Sequence, residues 1–283
     1  MKSDVKRFVA HLATCLICCP HFTTFQVGSG TVVAYTFTRY KFALAADSRE
    51  TFDNHPPTDD RCKIATFGNQ FVFASTGSAE VVAAPTAQIS SWSNIAEARH
   101  AIEQATSMTP VSTIADSWAQ SLKAKWAVVY ATDPDLVKTA AGLGIITEGI
   151  FAEAKDGLIT VAVRDIRLNT NSIDAVPFNC PINDTCVMGA TDSIWQIDAA
   201  QPMKASPALL KAYDPALLRV LRLVDLWIAY APPIKTPLGE VSPVGPPIDA
   251  VEMDGNGTMQ WLHKELNCNE PHDYAPRPAG ATH

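Results

Sequence analysis

Long apolar runs are missing from this chain of 283 residues, since none reaches the ~18 residues that a membrane-spanning helix needs. Positive charge is also scarce: 22 Lys and Arg stand against 29 Asp and Glu, and the net charge is −7. An acidic chain without a basic stripe is a poor candidate for binding nucleic acid or anionic membranes. We therefore expect no nucleic-acid partner, and no membrane partner once any amino-terminal leader has been removed.

Common catalytic and metal-binding motifs are missing as well. The seven histidines form no H-E-x-x-H pair and no G-x-S-x-G accompanies them, which argues against a zinc protease or a serine hydrolase of that type. Gly142-Leu143-Gly144 lacks the third glycine of a dinucleotide-binding loop. The cysteine spacing does not favour a zinc site. The sequence thus predicts neither a metal nor a cofactor.

Two cysteines bracket a short, turn-rich loop. Cys180 and Cys186 lie on either side of Pro181-Ile182-Asn183-Asp184-Thr185. In an oxidising compartment a disulfide between them would staple this loop. Two unpaired thiols are the other interpretation, and the sequence leaves both open.

The amino terminus has the outline of a leader. Lys2, Lys6 and Arg7 precede an apolar stretch at residues 8–19, and a positive start before ~7–15 apolar residues is typical of a secretory signal. An export signal and a propeptide removed by another route both stay open. In either case we expect residues 1–30 to be absent from the mature fold. The segment favours a periplasmic or secreted protein, with the cytoplasm as the alternative.

The rest of the chain predicts one α+β domain at residues 31–266, with a flexible tail at residues 267–283. Apolar residues make up 47% and charged residues 18%, as in ordinary globular proteins. Runs of strand-forming residues alternate with helical spacings, which indicates sheets packed between helical layers. The predicted strands lie at residues 32–38, 42–46, 62–67, 71–75, 144–151, 158–163, 248–253 and 258–262, and the predicted helices at residues 86–106, 111–130 and 207–231.

Four short segments near the start of this domain carry the functional argument. A Gly30-Thr31 junction is followed by Ala45-Ala46-Asp47-Ser48-Arg49, by Lys63, and by Ser75-Thr76-Gly77-Ser78-Ala79. In type and in gapless spacing they resemble the β-type subunits of the proteasome and their bacterial relatives, which are N-terminal nucleophile (Ntn) hydrolases. The resemblance implies a four-layer αββα sandwich, self-cleavage between Gly30 and Thr31, and a threonine-type peptidase.

The chemistry explains why these residue types are needed. A threonine hydroxyl is a weak nucleophile that requires a base, and a freed α-amine, with a reference pKa of about 7.7–8.0, can accept its proton. Lys63 as an ammonium would favour the neutral amine and the alkoxide of Thr31, although a general-base role for Lys63 stays open. Asp47 would keep Lys63 charged and oriented. The resemblance assigns the backbone N–H of Gly77 to the oxyanion.

Further assignments follow from the same resemblance. Arg49 would shape the site, and Thr191 or Ser193, next to a Met188-Gly189 turn, would supply an accessory hydroxyl. A homo-oligomer is compatible with the family. The same register predicts a substrate pocket formed by Glu50, Arg61, Ser75 and Ala79.

Two other functions remain open at this point. One is an Ntn amidase that cleaves a small amide rather than a peptide. The other is a non-catalytic, proteasome-like assembly subunit in which Thr31 is never exposed. Each residue also has an ordinary interpretation, because a threonine in a strand, an aspartate after a strand and a solvated lysine are common. It is their joint register behind a Gly-Thr junction that favours the catalytic site.

Overall fold

The computed structural model describes residues 25–28, 31–52, 55–59, 62–84, 87, 89–142, 144–170, 172–190, 193–201, 213–236 and 239–263. Within them the chain has an α+β fold with several sheets and five helices. The expected α+β class is therefore confirmed. The predicted tail at residues 267–283 and most of the predicted leader lie outside the described residues.

Two five-stranded antiparallel sheets form the centre of the fold. The first sheet contains, in spatial order, β12 (Ile173–Phe178), β11 (Leu158–Leu168), β10 (Ile145–Lys155), β7 (Phe71–Gly77) and β6 (Ile64–Phe67). The second sheet contains, in spatial order, β13 (Thr185–Met188), β2 (Val33–Phe37), β3 (Lys41–Asp47), β16 (Ile248–Asp254) and β17 (Met259–His263).

Smaller sheets lie around this centre. In one, β8 (Glu80–Ala83) pairs with β1 (Phe25–Gly28) on one side and with β9 (Trp92–Ser93) on the other. Two further antiparallel pairs join β4 (Glu50–Phe52) to β5 (His55–Thr58), and β14 (Ile234–Thr236) to β15 (Gly239–Val241).

Three of the five described helices follow a residue whose side chain caps them. The five are α1 (Asn94–Glu103), α2 (Val111–Thr132), α3 (Pro134–Ala141), α4 (Ser193–Ala200) and α5 (Pro215–Tyr230). The side chains of Ser93, Asp133 and Asp214 each accept a hydrogen bond from a backbone N–H in the first turn of α1, α3 and α5. Proline occupies the first position of α3 and α5, where no backbone donor is needed.

Three apolar cores hold these elements together. One packs α1, α2 and α3 on the first sheet, where Trp118 contacts Phe73 and Phe151. The second lies between the two large sheets, and the third packs α4 and α5 on the second sheet. Val33 and Tyr35 belong to the core between the sheets, whereas Val32 and Ala34 belong to the helix-side core. By this alternation, position 31 faces the space between the sheets.

Most of the predicted strands are confirmed, but the helices needed correction. The first predicted helix, residues 86–106, is too long, because residues 92–93 form β9 and Ser93 caps a helix that begins at Asn94. The described part of the third, residues 207–231, begins only at Pro215, where Asp214 caps it. The sequence interpretation missed α3 and α4, and it missed β12 and β13 as strands.

Candidate functional site

Thr31 and Asp47 meet at one end of the second sheet. Thr31 lies two residues before β2, Asp47 ends β3, and the two strands are antiparallel neighbours. The backbone N–H of Val32 donates to Asp47 Oδ1 at 2.7 Å. Thr31 is 3% exposed and Asp47 is fully buried. The carboxylate is therefore tied to the peptide unit that follows the candidate nucleophile.

Asp47 has further backbone donors on its second oxygen. The N–H groups of Arg49 and Gly245 each donate to Oδ2 at 3.2 Å. Burial raises the pKa of Asp47 to about 6, while the nearby Lys63 ammonium and the three N–H groups favour the ionised form. The structure thus brings Asp47 and Lys63 into electrostatic contact, and the catalytic roles of both stay predictions.

Lys63 lines a small cavity. It directly precedes β6 and is 3% exposed. The cavity has a volume of about 20 Å³, close to the space that one water needs. Three of the four residues of the predicted pocket, Glu50, Ser75 and Ala79, line it with Lys63, and Arg61 lies outside the described residues. The remaining lining residues are Cys62, Glu80, Ser93 and Ile95.

Gly77 ends β7 in a conformation that requires glycine. Its φ is +73°, and a Cβ built on it would lie 2.5 Å from the backbone oxygen of Ile146. This requirement explains the glycine without any catalytic role. Its assignment to the oxyanion therefore stays a prediction.

Gly189 brings the Gly77 strand end close to Thr31. Gly189 follows β13 with a φ of +74°, and a Cβ there would lie 2.1 Å from the Thr31 carbonyl oxygen and 3.1 Å from the Thr76 Cβ. The turn after β13 is therefore in close contact with the main chain of Thr31 on one side and with Thr76 on the other. Only glycine fits between them.

Arg49 supports the site through both its backbone and its side chain. Its guanidinium binds both oxygens of Asp59, at 2.6 and 2.8 Å, and this contact lowers the pKa of Asp59. A Cβ on Gly245 would lie 2.4 Å from the guanidinium carbon. Arg49 thus covers the Gly245 backbone whose N–H donates to Asp47, and its role in shaping the site stays a prediction.

The other predicted site residues fall elsewhere. Gly30 and Thr191 lie outside the described residues. Ser193 begins α4 and is exposed, whereas Thr31 is buried. An accessory hydroxyl from Ser193 or Thr191 therefore stays a prediction.

The chain matches known proteins in structure rather than in sequence. No protein-family model matches the chain, and no curated protein matches it. Among solved structures, an Anbu (Gly-1) mutant from Hyphomicrobium sp. strain MC1 is similar at 15% sequence identity, over 82% of this chain and 85% of that chain, with a TM-score of 0.45. Overlap at this level carries no weight for fold or function.

Sequence interpretation missed a buried carboxylate next to this site. Glu148 of β10 accepts hydrogen bonds at Oε2 from Thr76 Oγ1 and from the Gly189 N–H, both at 2.9 Å. Burial, and then the neighbouring Asp165, raise the pKa of Glu148 to about 7. An acidic residue in a strand rich in Ile, Phe and Ala was the available signal.

In the described ranges, no group of three or more His, Cys, Asp or Glu is arranged to hold a metal ion. No helix found there has the length and apolar character to cross a membrane. Cys180 and Cys186 form a disulfide, so the bridged alternative is the one present.

Proposed function

We propose that this chain is a threonine-type peptidase with a four-layer αββα Ntn-hydrolase fold, activated by cleavage between Gly30 and Thr31. The observation that carries the proposal is the bond from the Val32 N–H to Asp47 Oδ1, with Lys63 beside the same carboxylate. It joins a buried acid–base pair to the residue that follows the predicted nucleophile. The packing of helices on the outer faces of two facing sheets supports the proposed sandwich.

The first reaction is self-cleavage of the precursor. The Thr31 hydroxyl oxygen bonds to the carbonyl carbon of Gly30, and the carbon–nitrogen bond to Thr31 breaks as its nitrogen gains a proton. The product is an ester between Gly30 and the Thr31 side chain. Water then hydrolyses this ester to release the Gly30 carboxylate. The α-amine cannot serve as base before cleavage, because its nitrogen is still part of an amide.

Substrate hydrolysis repeats the same bond changes between two molecules. The Thr31 hydroxyl attacks the substrate carbonyl while its α-amine accepts the proton. The Gly77 N–H stabilises the oxyanion, a contribution of about 3–4 kcal/mol for one such donor. The leaving amine takes the proton, and water hydrolyses the acyl-enzyme. In this scheme Lys63, held by Asp47, favours the neutral amine and the negative charge on the oxygen.

A peptide substrate is supported by the strand that precedes the cleavage site. β1 pairs with β8 along Phe25↔Ala83 to Gly28↔Glu80, and Glu80 also lines the small cavity. An extended segment thus lies on a sheet edge that leads toward Lys63. A peptide substrate would bind this edge in the same way after the leader has left.

The small volume of the cavity favours a second candidate, an amidase for a small amide. A cavity of about 20 Å³ has no room for a large side chain unless it widens. Comparing the rate at which the protein hydrolyses short peptides with the rate for simple acyl amides distinguishes the two candidates. A homo-oligomeric assembly is compatible with both.

Intact mass of the purified full-length chain tests the proposal. We expect wild type to lose residues 1–30 and Thr31→Ala to retain them. Thr38→Ala, a threonine at the far end of β2, is the matched control and should process as wild type does. Cleavage that persists in Thr31→Ala assigns leader removal to another protease. An active wild-type preparation with Gly30 still joined to Thr31 contradicts the proposal.

A further inference from the structure

Three buried polar side chains form a row across the first sheet. Glu148 on β10 lies directly opposite Thr76 on β7 and Asp165 on β11. Thr76 and Asp165 are fully buried and Glu148 is 7% exposed. Two acidic residues directly opposite each other repel, and burial adds to the cost. An apolar residue at position 148 would pack at lower cost, so the carboxyl group calls for a reason beyond packing.

The contacts of Glu148 point to the space around Thr31. A single oxygen, Oε2, accepts from both the Gly189 N–H and the Thr76 hydroxyl. Gly189 is in close contact with the Thr31 carbonyl oxygen, and Thr76 is bonded to Gly77. One atom therefore links the turn that backs the nucleophile to the strand end that carries the predicted oxyanion donor.

Several charged or titratable groups face Glu148 from the strands around it. On β11, Arg167 binds Asp165 Oδ2 at 2.6 Å, and Asp165 raises the pKa of Glu148 while Arg167 lowers it. On β2 the buried Tyr35 has a raised pKa, first because of burial and then because of Glu148 and Asp165. With a pKa of about 7, Glu148 changes its charge near neutral pH.

We propose that Glu148 is a positioning residue for Thr31, because its carboxylate holds the Gly189 turn against the nucleophile and the Thr76–Gly77 strand end beside it. The catalytic part of this inference rests on the proposed function, whereas the structural part does not. An ionised acceptor makes stronger hydrogen bonds than a neutral one. The arrangement is therefore tightest when Glu148 is ionised.

Two substitutions separate the charge of Glu148 from its shape. Glu148→Ala removes the acceptor, and Glu148→Gln keeps an acceptor oxygen of nearly the same shape without the charge. Glu153→Gln is the matched control, since Glu153 is a buried carboxyl on the same strand that pairs with Thr160 instead. We expect Glu153→Gln to process and turn over substrate as wild type does.

Two kinds of measurement are needed. Hydrogen exchange of the Gly189 amide, followed by NMR, reports whether the turn is held. Processing at Gly30-Thr31, and kcat and KM of the processed protein between pH 5 and 9, report the effect on the reaction. We expect Glu148→Ala to expose the Gly189 amide and to lower kcat about tenfold or more with little change in KM. Glu148→Gln should recover part of kcat, and its acid-side pH slope should be smaller by about one.

Several outcomes overturn the inference. One is an unchanged Gly189 exchange rate in Glu148→Ala. Another is wild-type kcat and processing despite a released turn. A third is equal kcat in the Ala and Gln variants together with the wild-type pH slope in both, which would reduce Glu148 to a structural residue. If Glu148→Ala does not fold, Glu148→Gln and Thr76→Val, which lacks the hydroxyl donor, give the same comparisons.

Failure of the proposed function is distinguishable from failure of this inference. If wild type neither processes nor hydrolyses any amide, the peptidase proposal fails. The structural part of the inference is then tested by hydrogen exchange of the Gly189 amide alone. If the amide loses its protection in Glu148→Ala and keeps it in Glu153→Gln, the inference is supported. If the amide stays protected in both variants, the inference is wrong.

Discussion

The buried side chain of Asp47 binds the backbone of three segments next to Thr31, the predicted nucleophile. Its two oxygens accept three backbone N–H groups, from Val32, Arg49 and Gly245, while Lys63 supplies the opposite charge. Arg49 is two residues from Asp47 along the chain, whereas Gly245 is 198 residues away. Because the carboxylate is fully buried, losing its charge removes a compensating negative charge from beside the buried Lys63.

Protonation of Asp47 should steepen the acid side of the activity profile, where the α-amine base, with a reference pKa of about 7.7–8.0, titrates first. The Asp47 pKa of about 6 means that kcat falls further as the pH drops below 6, where neutral Asp47 no longer pairs with the Lys63 ammonium. Asp47→Asn should lower kcat on the order of 100-fold at pH 8. Steady-state hydrolysis by the processed protein measures both effects.

Asp116→Asn is the control for this substitution. Asp116 is an exposed carboxylate on α2 that pairs with Arg164, so its loss should leave kcat unchanged. An Asp47→Asn protein that folds and retains wild-type kcat would remove Asp47 from the mechanism.

Among the elements, α1 is the one that braces the Gly77 strand end. Its first residue, Asn94, is 1% exposed. The Asn94 Nδ2 group donates to Thr147 Oγ1 at 2.8 Å, to the Ser78 backbone oxygen at 3.0 Å and to Ser75 Oγ at 3.2 Å. The helix start thereby ties β7 and β10 together on the side away from Thr31.

Asn94→Ala should loosen this junction. Buried acceptors left without their donor cost about 1–3 kcal/mol each before relaxation, so we expect the free energy of unfolding to fall by about 3 kcal/mol. Urea denaturation measures this loss, and kcat should fall with it because the Gly77 strand end is less firmly held. Gln104→Ala, at the exposed far end of the same helix, should change neither quantity. Equal stability of Asn94→Ala and wild type would show that the junction does not depend on this amide.

At the scale of the full chain, the two buried carboxyls near Thr31 link stability to pH. Burial raises the pKa of Asp47 from 3.8 to about 6 and that of Glu148 from 4.5 to about 7. Between the ordinary and the raised values the folded chain binds more protons than the unfolded chain. Their contribution to stability is therefore fully present below about pH 4 and is lost as the pH rises through 6 and 7. Activity and stability then change in opposite directions.

The expected result is a lower free energy of unfolding at pH 8 than at pH 5, by a few kcal/mol, since one pKa unit corresponds to about 1.4 kcal/mol. Urea denaturation at both pH values measures it. Glu148→Gln should show a smaller difference because it does not titrate, whereas Lys138→Gln, at an exposed surface ion pair, should keep the wild-type difference. Greater stability of wild type at pH 8 would refute the assignment.

Local patterns were enough to predict the parts of the fold that depend on neighbours in sequence. The hairpins at β2–β3, β6–β7 and β10–β11 follow from alternating apolar residues and their turns. The register of Thr31, Asp47, Lys63 and Gly77 came from the resemblance to proteasome β-type subunits and not from these patterns. The start of α3 has an equally clear sequence signal, a capping Asp133 followed by Pro134, which the sequence interpretation overlooked.

Contacts between distant segments had to come from packing. Gly245 and Gly189 reach Asp47 and Thr31 only because β16 and β13 join the second sheet beside β3 and β2. Glu148 reaches Gly189 only because the two large sheets face each other. The sequence pattern shows which face of a strand is apolar, because successive side chains point to opposite faces. Which residues meet across a core depends on how whole sheets stack, and no local period encodes that.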